Sequence, residues 1–311
     1  MIAIRDAFGE ALRELGGKNK DVVALDADLA SSTKSGLFGA EYPERFFNVG
    51  IAEANMFAMA AGLAIKGKIP FANTFAAFAI LRAGDPIRSL IAYQKLNVKI
   101  CGAYTGFSDS YDGASHHATA DIAFMRALPN MTIIAPADPL EARLVVKAAA
   151  KYQGPVYLRL SRAPVPDIFD ASYKFKMGKG VKLTEGDDVS LIATGYMVYK
   201  SLEAAKLLKN RGINARVINL HTIKPLDKSI ILACAQETKA VITVEEHNIY
   251  GGLGSAVAEV LAESGAAVKM KRIGVNDVFA ESGDYEKLLE KYGLSVQNIY
   301  KTALSCYNSA K

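Results

Sequence analysis

The sequence predicts an α/β protein built from two doubly wound domains with mostly parallel sheets, and three observations carry that prediction. Short runs rich in Val and Ile alternate with longer stretches of helical period, as in βαβ units, where each pair of parallel strands needs a crossover helix. The 311 residues suit two domains, at roughly 100–200 residues each. The periodicity lapses once, near residues 163–187, where Ala163-Pro164-Val165-Pro166 opens a segment that is basic and Gly-containing over 174–182; Pro and Gly punctuate chains in this way at linkers and irregular hairpins.

In chain order, strands are expected at Val22–Leu25, Ile69–Ala72, Val98–Ala103, Thr132–Ala135 and Val156–Leu160. A second series follows at Val189–Thr194, Ala215–Asn219, Ala240–Val244 and Val268–Ile273. Helical patterns fall between them, among them Ile4–Leu15, Leu140–Ala150, Ser201–Asn210 and Ser255–Glu263. The first domain is expected over residues 1–165, a linker over 166–184 and the second domain over 185–311.

Half of the residues are hydrophobic and 22% are charged, enough for a full core in each domain. Thirty-seven basic against 32 acidic side chains give a net charge of +5, spread without a dense Lys/Arg block. That distribution excludes a nucleic-acid binder and suits a small anionic substrate. The mean hydropathy of +0.12 is high for a soluble chain; the excess lies in Ala-rich helical stretches and points to further buried surface, such as a large subunit interface. Cys101, Cys234 and Cys306 lie far apart, without metal-site spacing. An odd count with no framework fits a reducing compartment, so a cytoplasmic location is expected. The N-terminal MIAIRDAFGEALREL carries charges where a signal peptide is apolar. No run of about 18 apolar, uncharged residues occurs, so no membrane is expected among the partners.

Several short motifs could carry chemistry. From Ile51 to Ile65 every residue is apolar or Gly except Glu53 and Asn55. A helix apolar on all faces is buried or lies in an interface. Glu53 would then tend to keep its proton and act as a hydrogen-bond donor. The competing reading is a first-turn glutamate stabilised by the helix dipole, common for such a residue alone. Phe75 and Phe78, with small Ala residues between them, leave room for a flat group on an aromatic face; ordinary core packing is the usual meaning of such a pair.

Tyr111-Asp112-Gly113-Ala114-Ser115-His116-His117 holds two of the four histidines in a loop between a strand and a helix. Ligands bind at such strand ends, and His suits proton transfer. Asp26 and Asp28 follow another strand, where turn formation and capping are the plain alternative. Arg5 and Arg162 offer planar forks for phosphate, or surface salt bridges. Gly251-Gly252-Leu253-Gly254-Ser255 lacks the full spacing of a nucleotide turn and reads as a tight turn with close packing.

Taken together and in order, these elements resemble the second half of transketolase over nearly the whole chain. The motifs that carry the resemblance are Ala27-Asp28-Leu29, Gly50–Glu53, Thr74–Phe78, Asp112–His116, Arg126–Asn130, Pro136–Asp138 and Leu160–Arg162. The resemblance implies thiamine diphosphate as cofactor, with Glu53 on N1′ of its aminopyrimidine and Phe78, helped by Phe75, under that ring. Asp28 joins them as a cofactor-binding residue. Arg5, Ser32 and Arg162 resemble the groups that bind the sugar phosphate; Asp112 and His116 resemble those that read substrate hydroxyls and move protons.

The sequence departs from the family in two places. Tyr104 stands where full-length transketolases often have a further substrate-contacting His, and no Gly-Asp-Gly occurs, the motif that holds the diphosphate through a metal. The chain is therefore expected to be the C-terminal subunit of a split transketolase. Its N-terminal partner would bind the diphosphate with Mg2+ or Ca2+, and the assembly would be an α2β2 complex. The implied reaction transfers a two-carbon ketol unit between phosphorylated sugars, as in the pentose phosphate reactions of carbohydrate metabolism. The rivals are a deoxyxylulose-phosphate-synthase-like or other transketolase-like subunit acting on an unusual phosphorylated sugar, and a 2-oxo-acid dehydrogenase β subunit, which the three phosphate-binding residues disfavour. A non-catalytic regulatory partner is the reading from another class; intact Glu53, Phe78 and His116 speak against it.

Overall fold

The computed structural model describes residues 1–310. Its central strands, Val22–Asp26, Lys99–Ala103, Val156–Leu160, Val189–Ala193 and Ala215–Asn219, are buried at every position. Parallel strands covered by helices on both faces show this continuous apolar character instead of alternation. One sheet of seven strands runs in the order Thr222–Lys224, Thr132–Ile134, Val156–Leu160, Lys99–Ala103, Ile69–Phe75, Val22–Asp26, Phe46–Asn48. It is parallel except where Thr222–Lys224 joins its edge. A sheet of five runs Lys269–Val275, Ala240–Asn248, Val189–Ala193, Ala215–Asn219, Val181–Thr184, antiparallel only at the last pair. The two mostly parallel sheets agree with the expected fold class.

Several elements differ from the expectation, three of them most clearly. Phe46–Asn48 is a three-residue, half-exposed edge strand, too short to show a period. Val181–Thr184, inside the expected linker, forms the edge of the second sheet. Ala240–Asn248 runs past Val244 through Glu245, Glu246 and His247, all buried.

The halves share one apolar cluster running from Phe8 and Leu158 to Leu191 and Ile299. Polar groups also cross between them. Buried Arg159 pairs with Asp121 at 2.8 Å and donates to the Glu246 carbonyl at 2.9 Å. Burial alone would raise the Asp121 carboxyl, but the Arg159 charge overcomes it and holds the group below its ordinary value. Glu141 accepts from Ala137 N, from the Tyr173 hydroxyl and from Asn219 of the second sheet, and burial pushes it up to about 7.

The helix Glu53–Ile65 buries Met56, Phe57, Ala60 and Ala61. Its other face is open: Met59 is 37% and Ile65 62% exposed, and the neighbouring Ile51 and Leu81 are 75% and 77% exposed. Exposed apolar faces of this kind are characteristic of interaction surfaces. No helix among the described residues is long and apolar enough to cross a membrane.

Candidate active site

The strands Val22–Asp26, Ile69–Phe75, Lys99–Ala103 and Val156–Leu160 all end at one edge of the first sheet. The loops and helix starts beyond those ends carry Asp28, Phe78, Tyr104 to His117 and Arg162. Such carboxyl-end crevices are where open α/β sheets bind ligands.

Glu53 opens the helix after Ala52 and is only 4% exposed. Its carboxylate accepts from Arg82 Nη1 at 2.6 Å. The Arg82 guanidinium in turn lies on the Phe78 ring, its Cζ 3.8 Å from the ring centroid. Phe75 and Phe78 have centroids 5.6 Å apart, and the His116 ring stands edge-on to Phe78 at 5.1 Å. A flat, N–H-bearing group thus already rests on Phe78 and donates to Glu53. The residues present fit the aminopyrimidine half of thiamine diphosphate, whose ring offers the same combination of flat face and ring-plane polar atoms. Glu53 and Arg82 are thus paired at this helix start.

The second grouping centres on Tyr104, a buried residue with φ of 60°. Its ring lies 4.2 Å from Phe75. Arg5 and Arg162 hold their guanidinium carbons 4.7 and 5.1 Å from the Tyr104 centroid. Arg5 also donates to the Tyr104 hydroxyl and, at 2.8 Å, to the carbonyl of Ser32. Ser32 therefore contributes its backbone oxygen. Arg162 pairs at 3.3 Å with Asp109, which is 1% exposed. The ligand atoms of Asp109, Asp112 and His116 lie within 4.8 Å of one another. Burial first, then the Asp112 charge, pushes Asp109 up to about 7. His116 meets the Ser115 hydroxyl at 2.9 Å through Nδ1.

Asp28 stands apart. It is exposed, has φ of 64°, and accepts from Asn48 at 2.9 Å at the rim. Asp26, two residues earlier, is the buried member of the pair and accepts from the hydroxyls of Thr33 and Ser35. Asp28 is thus not brought against Glu53 or Phe78. Arg82 and Asp109 were not singled out from the sequence. Arg82 is one turn beyond Phe78 on the same local helix, and that i, i+4 spacing was the available signal. Cavities of about 460 and 490 Å3 open elsewhere, beside Arg88 and Asn130 and beside Arg272 and Asn298; neither includes Glu53, Phe78 or His116.

Comparison with known proteins defines the class. Residues 1–167 match the pyrimidine binding domain of transketolase and residues 178–299 match the transketolase C-terminal domain. The chain belongs to the transketolase family, and its counterpart among those proteins is a C-terminal section. It is 48% identical over 300 residues to a putative transketolase C-terminal section of Methanocaldococcus jannaschii, covering 96% of this chain and 94% of that one. It is 42% identical to the 6-deoxy-6-sulfo-D-fructose transketolase subunit SqwH of Clostridium sp., covering 96% and 93%. An apulose-4-phosphate transketolase subunit of Phocaeicola vulgatus is 39% identical, with 98% and 97% covered. A solved structure described as a split gene transketolase, inactive beta4 tetramer, superposes with a TM-score of 0.90 at 48% identity, covering 100% of this chain and 99% of that one.

Proposed function

We propose that this chain is the half of a split, thiamine-diphosphate-dependent transketolase that seats the aminopyrimidine ring and the substrate, and that it transfers a two-carbon ketol unit between phosphorylated sugars only with its partner subunit. The observation that supports it most is the stack of Arg82 between Glu53 and Phe78. The partner would hold the diphosphate through Mg2+ or Ca2+, for which this chain has no Gly-Asp-Gly. Bound between the two, the cofactor would supply a nucleophilic carbon for attack on the ketose carbonyl.

The chain's own residues do the rest. Glu53, freed of Arg82, holds a proton toward N1′. Phe78 and Phe75 present the flat face that orients the ring. His116 moves a proton at the substrate hydroxyl beside Asp112. Arg5 and Arg162 take the sugar phosphate, with the Ser32 carbonyl setting Arg5. A closed interface strengthens each of these contacts by excluding water. A cytoplasmic enzyme fits the three buried free thiols.

An unusual phosphorylated or otherwise anionic sugar is a second reading, favoured by Tyr104. Its ring fills the space between Arg5 and Arg162 where the family often has His. Relatives named for a sulfofructose and for apulose 4-phosphate agree with such variation.

The exposed apolar face around Met59, Ile65, Ile51 and Leu81 supports an α2β2 assembly; an obligate interface of this kind buries upwards of about 2,000 Å2. The isolated chain is expected to self-associate and to be inactive, and to gain turnover of ketose phosphates on mixing with a partner that carries Gly-Asp-Gly. Light scattering and a coupled turnover assay before and after mixing check this. A chain that stays monomeric in the mixture, without turnover, would contradict it.

Asp109 shares Arg162 with the incoming phosphate, and its neighbours Asp112, Arg5, His116 and His117 are the other charged or titratable groups there. Its raised value near 7 means that it bears a proton below neutrality and leaves Arg162 free, whereas above neutrality its carboxylate competes. The KM for ketose phosphate is expected to rise about two- to fivefold between about pH 6 and 8, the scale of a partly exposed ion pair. In Asp109→Asn that rise should vanish. An unchanged pH profile in the variant removes Asp109 from phosphate recognition.

A further inference from the structure

The loop over residues 105–119, which carries Asp112 and His116, leaves the first sheet, yet much of what fastens it comes from the second domain. Glu246, on strand Ala240–Asn248 and 2% exposed, accepts from the Phe107 amide at 2.6 Å with one oxygen and from the Tyr285 hydroxyl at 3.0 Å with the other. Gly106, at φ of 60°, has no room for a side chain: a Cβ there would come 2.3 Å from the Glu246 carboxyl carbon. Further along, Gly283 N donates to Ser110 O at 2.9 Å and Asn248 N to Thr119 O at 2.8 Å. A Cβ on Gly113 would meet the Ser282 hydroxyl at 2.4 Å. The Phe107 ring packs against Tyr292 with centroids 5.3 Å apart. The loop is thus held at its start, middle and end by three segments of the second domain.

We infer that Glu246 is a positioning residue: through the Phe107 amide it fixes the loop that presents Asp112 and His116, so the second domain sets the geometry of the substrate step without touching substrate. The inference rests on the proposed function for the substrate role of that loop. A buried amide with no acceptor is costly, so the loop follows the position of the Glu246 carboxylate. Glutamine keeps both contacts, its carbonyl accepting from Phe107 N and its amide facing the Tyr285 oxygen. Alanine leaves Phe107 N without a partner.

The test has two readouts. In the isolated chain, Glu246→Ala is expected to speed hydrogen exchange over residues 105–119 about tenfold or more, the scale of one lost buried hydrogen bond. Exchange over the helix Glu53–Ile65 should stay unchanged. In the enzyme mixed with its partner, the same variant should lower kcat/KM for the ketose phosphate about tenfold while thiamine diphosphate affinity holds. Glu246→Gln should restore both. Ile231→Ala opens a cavity in the apolar cluster with Ile192 and Ile218; it should lower stability without either effect. If Glu246→Ala fails to fold, Tyr285→Phe removes one contact and should give a smaller change of the same pattern. Wild-type exchange in Glu246→Ala, no rescue by Gln, or the same loss in Ile231→Ala overturns the inference. A wild-type mixture that does not turn over ketose phosphates defeats the functional reading instead, and the exchange result still decides whether Glu246 sets the loop.

Discussion

Glu53→Gln is expected to lower turnover of the assembled enzyme by on the order of 10²–10⁴, the usual effect of removing a positioned acid–base group, with little change in melting temperature. Gln has the size of Glu and its carbonyl oxygen can still accept from Arg82, so the helix start at Ala52–Glu53 and the stack on Phe78 survive. It cannot hold and return a proton. The measurement is kcat with partner, thiamine diphosphate and a ketose–aldose pair, beside a thermal melt of each variant. Near-normal turnover would reduce Glu53 to a helix-end residue whose function is to pair with Arg82.

Arg162→Ala should weaken phosphorylated substrates selectively. The side chain is 43% exposed and its ion pair to Asp109 is long at 3.3 Å, so the fork remains available to an incoming anion. A charge-assisted bidentate contact contributes about 1.5–3 kcal/mol, which corresponds to a rise of roughly 10- to 150-fold in KM for a ketose phosphate. The unphosphorylated ketose should be affected little. Equal losses for both would mean that Arg162 supports the Tyr104 ring, which it touches at 5.1 Å, and does not read phosphate.

Where an element was buried on both faces, the sequence alone located it. Val156–Leu160 and Ala215–Asn219 were expected with the bounds they have, because each is a short run of mainly apolar and β-branched residues in a parallel sheet. Ala240–Asn248 was cut short at Val244 because the residues beyond it are charged or polar. They are buried all the same, since the Glu245 carboxylate accepts from Leu253 N and Gly254 N at the next helix start. The same contact explains the Gly cluster: a Cβ on Gly252 would fall 2.0 Å from that carboxylate. The turn thus permits close packing, as its incomplete spacing suggested.

The candidate site was legible only as separate motifs. Glu53, Phe78 and His116 could be named, but what joins them is tertiary. Arg5 reaches Tyr104 across 99 positions, and Phe107 reaches Glu246 across 139. No local period reports such pairs. Asp109 and Glu246 are ordinary charged residues until their partners are in place, and Arg82 offered only its i, i+4 spacing from Phe78. Asp28 illustrates the reverse, a motif residue that the fold leaves at the rim with Asn48.

The division of the cofactor site between two chains is tested most directly by titrating thiamine diphosphate and Mg2+ calorimetrically, first into the isolated chain and then into the chain mixed with its Gly-Asp-Gly partner. The isolated chain, with Arg82 lying on Phe78 and no diphosphate motif, is expected to bind weakly and without dependence on the metal, whereas the mixture binds tightly and only when Mg2+ is present. Tight, Mg2+-dependent binding by the isolated chain would contradict the division.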